Sequence, residues 1–400
     1  MLAILFFLER LVSAMMHLPP QNDAVTSCLA AREFDAPRGA TRCRRAVLAL
    51  AVMAMFLGAS DLSAEPLATP SAWTIADISQ SQDSLNDSID AELRTTTPAL
   101  PASLSKDLRS DRIWLVNTRS ISHHTCCMNL CQPEFRIERL DQCGQRRASS
   151  LDEYLTSMDP TRPRIIYIHG NRRDANKAIT QGLYVYRQLA CHRHGDQPFD
   201  WVIWSWPSEA SAVLLADARE KAQRTDSQGL YVAWLLREHH LKSQPTGLIG
   251  FSFGGRIVSG ALHALAGGTL GRRTLDVPPI TGANIDVGLL APAVDTTWMM
   301  PHGHHGLASL NMNRMVLLYN HRDIALRFFK FVSRGPGGHA LGYTGPRCFG
   351  PRHDGTALPV RAFDCAQMVG NHHSEKLYYE QAGCAGHEMG SLIESTLVID

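Results

Sequence analysis

From Arg164 onward the chain alternates short apolar runs with longer stretches of helical spacing. Ile165-Ile166-Tyr167-Ile168 is a continuous apolar run, and Asp174 to Ala190 after it carries helical periodicity. Trp201-Val202-Ile203-Trp204 predicts the next strand, followed by a helical stretch from Ala210 to His239. Gly247-Leu248-Ile249 is another short strand, and Arg256 to Leu265 has the spacing of a buried helix. Asp286 to Leu290 and Met315 to Tyr319 predict two more strands. Strands with almost no polar positions have no face suited to water, so they predict a parallel sheet covered by helices on both faces, an α/β fold. Upstream, Ile113 to Val116 reads as the start of ordered structure, and Phe135 to Leu140 alternates as a half-exposed strand does. Arg334 to Gly355 is crowded with glycine and proline and predicts a long surface loop, of the kind that rims an active site.

The first hundred residues break this pattern. Ala46 to Leu57 is uncharged and apolar, follows Arg42, Arg44 and Arg45, and is followed by the small residues Gly58-Ala59-Ser60 and Ser63-Ala64. That order describes a secretory signal peptide, placed unusually far from Met1, and the run is short for a membrane span of about 20 apolar residues. Residues 1–64 are read as a leader, either a signal peptide or a membrane anchor. The Ser-, Thr- and Pro-rich residues 65–110 are read as a linker, and 111–400 as the folded domain, with a Cys-rich insert at 123–144. The expected location is outside the cytoplasm: periplasmic, extracellular or held at a membrane by the N-terminal apolar segment. Ten cysteines, eight of them beyond the leader, suggest disulfides in an exported chain, though spacing does not give the pairing. The cluster Cys126, Cys127, Cys131, Cys143 lacks paired Cys-x-x-Cys spacing and is not read as a zinc site. A formal net charge of +1 with scattered basic residues points away from nucleic acid as a partner.

The chemistry centres on Gly250-Phe251-Ser252-Phe253-Gly254, a Gly-x-Ser-x-Gly pattern between an apolar strand and a helix. A serine there sits on a sharp turn with its hydroxyl clear of the chain, and the flanking glycines relieve collisions with neighbouring backbone. To act as a nucleophile it needs a histidine base, itself oriented by a carboxylate. Asp323, after the strand ending at Tyr319, is the expected acid, with Asp295 as the alternative and a helix N-cap as its bland role. His373 is the expected base, with His372 and His387 as alternatives. The oxyanion donors are expected to be the amides of Phe253 and of Asn171, the latter carried by the turn His169-Gly170-Asn171. His302-Gly303-His304-His305 is read as a flexible loop, with no metal site and no cofactor expected.

Taken together, these segments resemble the α/β-hydrolase superfamily across about residues 113–395. The resemblance is carried by Ile168-His169-Gly170-Asn171, Trp204-Ser205-Trp206-Pro207, Gly250-Phe251-Ser252-Phe253-Gly254, Asp323-Ile324-Ala325-Leu326 and His373-Ser374. The combination is similar to a group of lipase-like bacterial hydrolases. It implies an eight-stranded, mostly parallel sheet, a Ser-Asp-His triad and serine hydrolase chemistry, and says little about substrate. Phe251 stands where histidine is common in the family, and the Cys-rich insert is a second departure. The expected function is an esterase or lipase-like enzyme cleaving a small-molecule or lipid carboxylic ester through an acyl-enzyme. An acyltransferase with the same triad and a non-catalytic scaffold of the same fold are the alternatives.

Overall fold

The computed structural model describes residues 110–193, 197–211, 214–332, 338–380 and 384–396. The expected leader and nearly all of the expected linker lie outside the described residues, as do residues 334–337 of the expected loop. Among the described residues, nine strands form one sheet in the order β3-β2-β1-β5-β4-β6-β7-β8-β9. The strands are β1 (Arg112–Asn117), β2 (Arg136–Leu140), β3 (Arg146–Ser149), β4 (Arg164–Ile168), β5 (Asp200–Ser205), β6 (Thr246–Phe251), β7 (Ile285–Leu290), β8 (Met312–Tyr319) and β9 (Val360–Asp364). All neighbours pair in parallel except β1 with β2 and β2 with β3, which are antiparallel.

The helices are α1 (Leu151–Thr156), α2 (Ala175–His192), α3 (Leu214–Leu241), α4 (Phe253–Leu265), α5 (Ile324–Arg327), α6 (Leu341–Thr344), α7 (Ala366–Val369), α8 (Glu375–Glu380) and α9 (Cys384–Ser395). Asp174 starts α2 by accepting a hydrogen bond from the Lys177 amide at 2.8 Å. Side-chain alternation along β7 assigns the two faces. Gly288 leaves just the space that Met389 and Leu392 of α9 fill, while Leu289 lies against Gly255 of α4. Helix α3 packs on α4, and α9 on α2. The buried strands and the fully covered Trp114, Trp201, Trp204 and Trp206 form the core between these layers.

Two strands exceed the seven read from the pattern and raise the implied eight to nine. Strand β3 is a run of Arg-Arg-Ala-Ser, recruited by pairing with β2 and by the salt bridge of Arg146 to the buried Glu138. Strand β9 is a half-exposed edge strand held by its ladder to β8. Neither has the apolar period that makes a strand legible. The expected Cys-rich insert divides in two: Arg136–Leu140 is integral sheet, and Thr125 to Met128 is tied to the Leu270–Arg273 turn by hydrogen bonds of 2.7–2.9 Å. In place of the expected disulfides, Cys126, Cys127, Cys131, Cys143, Cys191 and Cys348 stand as free thiols among the described residues.

The expected surface loop is corrected in its first part only, since residues 346–355 carry no helix or strand and are mostly exposed. Ala340 and Leu341 are buried, and Gly342 packs against the Ala291–Pro292 backbone, so this segment threads under the ends of β7 and β8. Asn320 N–H donates to the Gly342 carbonyl at 2.8 Å and Leu341 N–H to Val294 at 2.7 Å. Among the described residues no helix is long and apolar enough to cross a membrane.

At the amino ends of the parallel strands, the fully buried Asp200 accepts from Arg112, Arg162 and Arg164 at 2.7, 2.6 and 2.6 Å. Removing it would leave the buried Arg164 guanidinium uncompensated. Asp200→Ala is expected to cost about 3–5 kcal/mol, read as a lower urea midpoint. A variant within about 0.5 kcal/mol of wild type would show that the arginines are satisfied without it.

Candidate active site

Strand β6 ends at Phe251 and α4 begins at Phe253, so Ser252 alone makes the turn. It does so at φ 53° and ψ −117°, a conformation that strains any residue with a side chain. Its backbone is fully engaged: Ser252 N–H donates to Leu290 O, and its carbonyl accepts from Gly255 and Ala293, each at 3.0 Å. The two elbow glycines have separate reasons. A methyl group on Gly254 would run into the Ile168 carbonyl oxygen, and one on Gly250 would lie 2.6 Å from the Gly254 carbonyl carbon.

The serine hydroxyl lies 2.8 Å from His373 Nε2, and His373 Nδ1 lies 2.6 Å from Asp323 Oδ2. A carboxylate can only accept, so Nδ1 carries the proton there and Nε2 presents its lone pair to the serine hydroxyl, which donates. Asp323 is fully buried, and its other oxygen accepts from the Leu326 amide at 3.0 Å. It therefore serves as helix cap and histidine partner at once. The histidine loop is held to the aspartate loop by Asn320 Nδ2 donating to Gly370 O at 2.8 Å and Ile324 N–H to Asn371 O at 3.2 Å. Phe251, the departure from the family pattern, stacks on the His373 ring with centroids 5.0 Å apart.

The alternatives sit elsewhere. Asp295 caps a turn, accepting from Thr297 and from the Gly338 amide. His372 and His387 are exposed, and it is His373 that supplies the nitrogen at Ser252. In the His302–His305 segment, His302 and His304 are exposed, while His305 is buried, 2.8 Å from Ser259 Oγ and edge-on to Trp298. Burial holds its imidazole well below the usual histidine pKa, and among the described residues no group of three or more His, Cys, Asp or Glu could hold a metal.

The turn after β4 comes close to the serine. A methyl group on Gly170 would lie 2.9 Å from the Phe251 ring and 3.2 Å from Ser252 Cβ. His169 is fully buried, 2.8 Å from Gly170 O through Nδ1 and stacked on Trp206, whose backbone N–H donates to Nε2 and whose indole N–H donates to the His169 carbonyl. Burial keeps it neutral, its pKa well below the ordinary value. It is a structural brace for the turn. Asn171 follows, half-buried, with Nδ2 donating to Asp217 Oδ2 at 3.2 Å. The Phe253 amide is the first of α4 and so has no acceptor within the helix. Helix α2 leaves β4 toward β5 on one side, while α4 leaves β6 toward β7 on the other. The crevice opened by this switch lies at the carboxyl ends of β4 and β6, where the two turns meet.

Glu375, two residues beyond His373, escaped sequence reasoning, because a glutamate in the first turn of a helix reads as a solvated one. It is buried, accepting from Tyr167 OH at 2.7 Å and Gln181 Nε2 at 3.1 Å. Burial lifts its pKa from 4.5 to about 7, only partly opposed by those donors, Arg173 and His373. The folded chain thus binds more protons than the unfolded one between these values, and its stability falls as pH rises from about 4.5 to about 7. Glu375→Gln removes this dependence. The variant is expected to gain on wild type by up to about 3 kcal/mol between pH 5 and pH 8, measured as urea midpoints. A difference independent of pH would mean that Glu375 does not titrate in this range.

No family model and no curated protein matches the chain. Among solved structures it is similar to an inhibited esterase B from Lactobacillus rhamnosis, with 12% identity over 80% of this chain and 96% of the esterase and a TM-score of 0.37. Esterase 2 from Thermogutta terrifontis matches at 12% identity over 61% of this chain and 88% of its own, TM-score 0.29. MGS-M1, an alpha/beta hydrolase from a Medee basin deep-sea metagenome library, matches at 14% identity over 66% and 92%, TM-score 0.29. The architecture implied by the sequence resemblance is met by the chain's own topology, from the covered parallel sheet to the serine turn at its switch point: the chain has the α/β-hydrolase fold.

Proposed function

We propose that this chain is a serine hydrolase that cleaves a small-molecule or lipid carboxylic ester through an acyl-enzyme on Ser252. The observation that carries this reading is the continuous relay of Asp323 Oδ2 to His373 Nδ1 at 2.6 Å and His373 Nε2 to Ser252 Oγ at 2.8 Å, ending on a strained serine. His373 takes the hydroxyl proton as Oγ attacks the carbonyl carbon, and Asp323 stabilises the imidazolium that results. The carbonyl oxygen gains negative charge between the Phe253 and Asn171 amides. Collapse breaks the bond to the alcohol, which leaves with the proton held on His373 Nε2. Water then repeats the sequence on the acyl-enzyme and frees the acid and Ser252. An acceptor alcohol in place of water makes the same cycle an acyl transfer. The 2.8 Å contact to the serine favours catalysis over a non-catalytic scaffold, which has no use for an aligned base.

A fluorophosphonate tests the reading directly. Intact mass of the chain from Glu65 onward should rise by one adduct, located on Ser252, and Ser252→Ala should take none. His373→Ala should slow labelling by about 10³-fold or more, and Asp323→Asn should lower ester turnover by about 10³–10⁴-fold. A folded wild-type chain that takes no adduct would rule out an activated serine.

A further inference from the structure

A second buried charged cluster lies beside the turn after β4, outside the triad. Asp217, in the first turn of α3, and Lys221, one turn on, are both fully buried and 3.4 Å apart. Two charges taken out of water repay little of their desolvation by mutual attraction, so stability is a poor reason for such a pair. Its contacts suggest another. Asp217 Oδ2 accepts from Asn171 Nδ2 at 3.2 Å, and Oδ1 accepts from the backbone and hydroxyl of Ser211 at 2.9 and 3.1 Å. Lys221 Nζ donates to the same hydroxyl at 2.8 Å, and the Arg172 guanidinium stands 3.8 Å from the Asp217 carboxylate.

The turn needs such an anchor. Arg172 adopts φ 59°, a left-handed conformation that a residue with a side chain keeps only when its surroundings enforce it. Its N–H donates to Ser208 O at 2.7 Å, and Ser208 Oγ donates to Arg173 O at 3.0 Å, which knits the turn to the segment that Ser211 ties to Asp217. Because a carboxylate can only accept, it fixes the Asn171 amide group with Nδ2 inward. With the side chain committed there, Asn171 has its backbone N–H left to offer a developing oxyanion.

We propose that Asp217 is a positioning residue that acts through Asn171, holding the turn after β4 so that the Asn171 amide meets the transition state at Ser252. This rests on the hydrolase reading above. The side chain of Asn171 is then an anchor and its backbone the donor, so cutting the link from either end should have the same effect.

The test is a double-mutant cycle on the full chain, with p-nitrophenyl butyrate as substrate and the fluorophosphonate as an independent probe. Asp217→Asn and Asn171→Ala should each lower kcat about 10–100-fold, with KM within about two-fold and the pH midpoint of kcat unmoved. The double variant should be no slower than the slower single variant. Effects that multiply in the double variant, or a loss confined to KM, would overturn the proposal. Should Asp217→Asn fold poorly, Asn171→Ala decides alone, since it leaves the Asp217–Lys221 pair in place: full kcat there overturns the proposal, and the expected loss supports it. Wild type that labels at Ser252 while both variants keep full kcat refutes only this inference. Wild type that neither labels nor hydrolyses refutes the hydrolase reading, and this proposal with it.

Discussion

Helix α4 approaches the carboxyl end of β4 so closely that Gly254 sits under the Ile168 carbonyl with no room for a methyl group. That approach forces the chain to leave β6 and enter α4 through a single residue, and Ser252 takes the strain at φ 53°. It also brings the start of α4 against the turn after β4. The strain is affordable because Ser252 has its backbone bonded to Leu290, Gly255 and Ala293, so the turn is held by the sheet and helix it joins.

Buried carboxylates then divide the molecule by function of their partners. At the amino ends of the strands Asp200 gathers three guanidinium groups, and the chain there is a clamp between β1, β4 and β5. At the carboxyl ends each carboxylate meets a different set. Asp323 meets an imidazole and a helix amide, which suits a group that orients its neighbour. Glu375 has a phenol and an amide as its hydrogen-bond donors, and burial lifts its pKa toward neutrality. Asp217 meets an ammonium and the Asn171 amide group. A buried carboxylate thus acts as a clamp, an orienting group or a titrating group according to what it is buried against.

Legibility in the sequence tracked burial. The strands at β4, β5, β6, β7 and β8 are buried throughout or nearly so, and their apolar runs announce them. The edge strands β3 and β9 escape, because what makes them strands is a ladder to a neighbour rather than a pattern of their own. The candidate site behaves likewise. Ser252 is visible because its turn demands glycine on both sides, whereas choosing His373 over His372 depends on which imidazole a loop 121 residues away delivers to the serine. Nothing in the sequence singles out Glu375 or Asp217, and their burial is a property of what packs over them. The loop from 338 to 345 looked exposed by composition, yet its small residues are what lets it pass beneath Ala291 and Pro292.

By itself the sequence determined a parallel sheet with helices on both faces, the serine turn, and a short set of acids and bases in workable order. Those features are local: apolar periodicity, turn chemistry and helix starts are written in neighbouring residues. The tertiary structure decided which histidine faces the serine, that Phe251 supports its ring, that Asp295 serves a turn, and that two acids of unremarkable sequence context are buried beside the site. Each of these depends on contacts between residues far apart in the chain, and such contacts are set by how the layers pack.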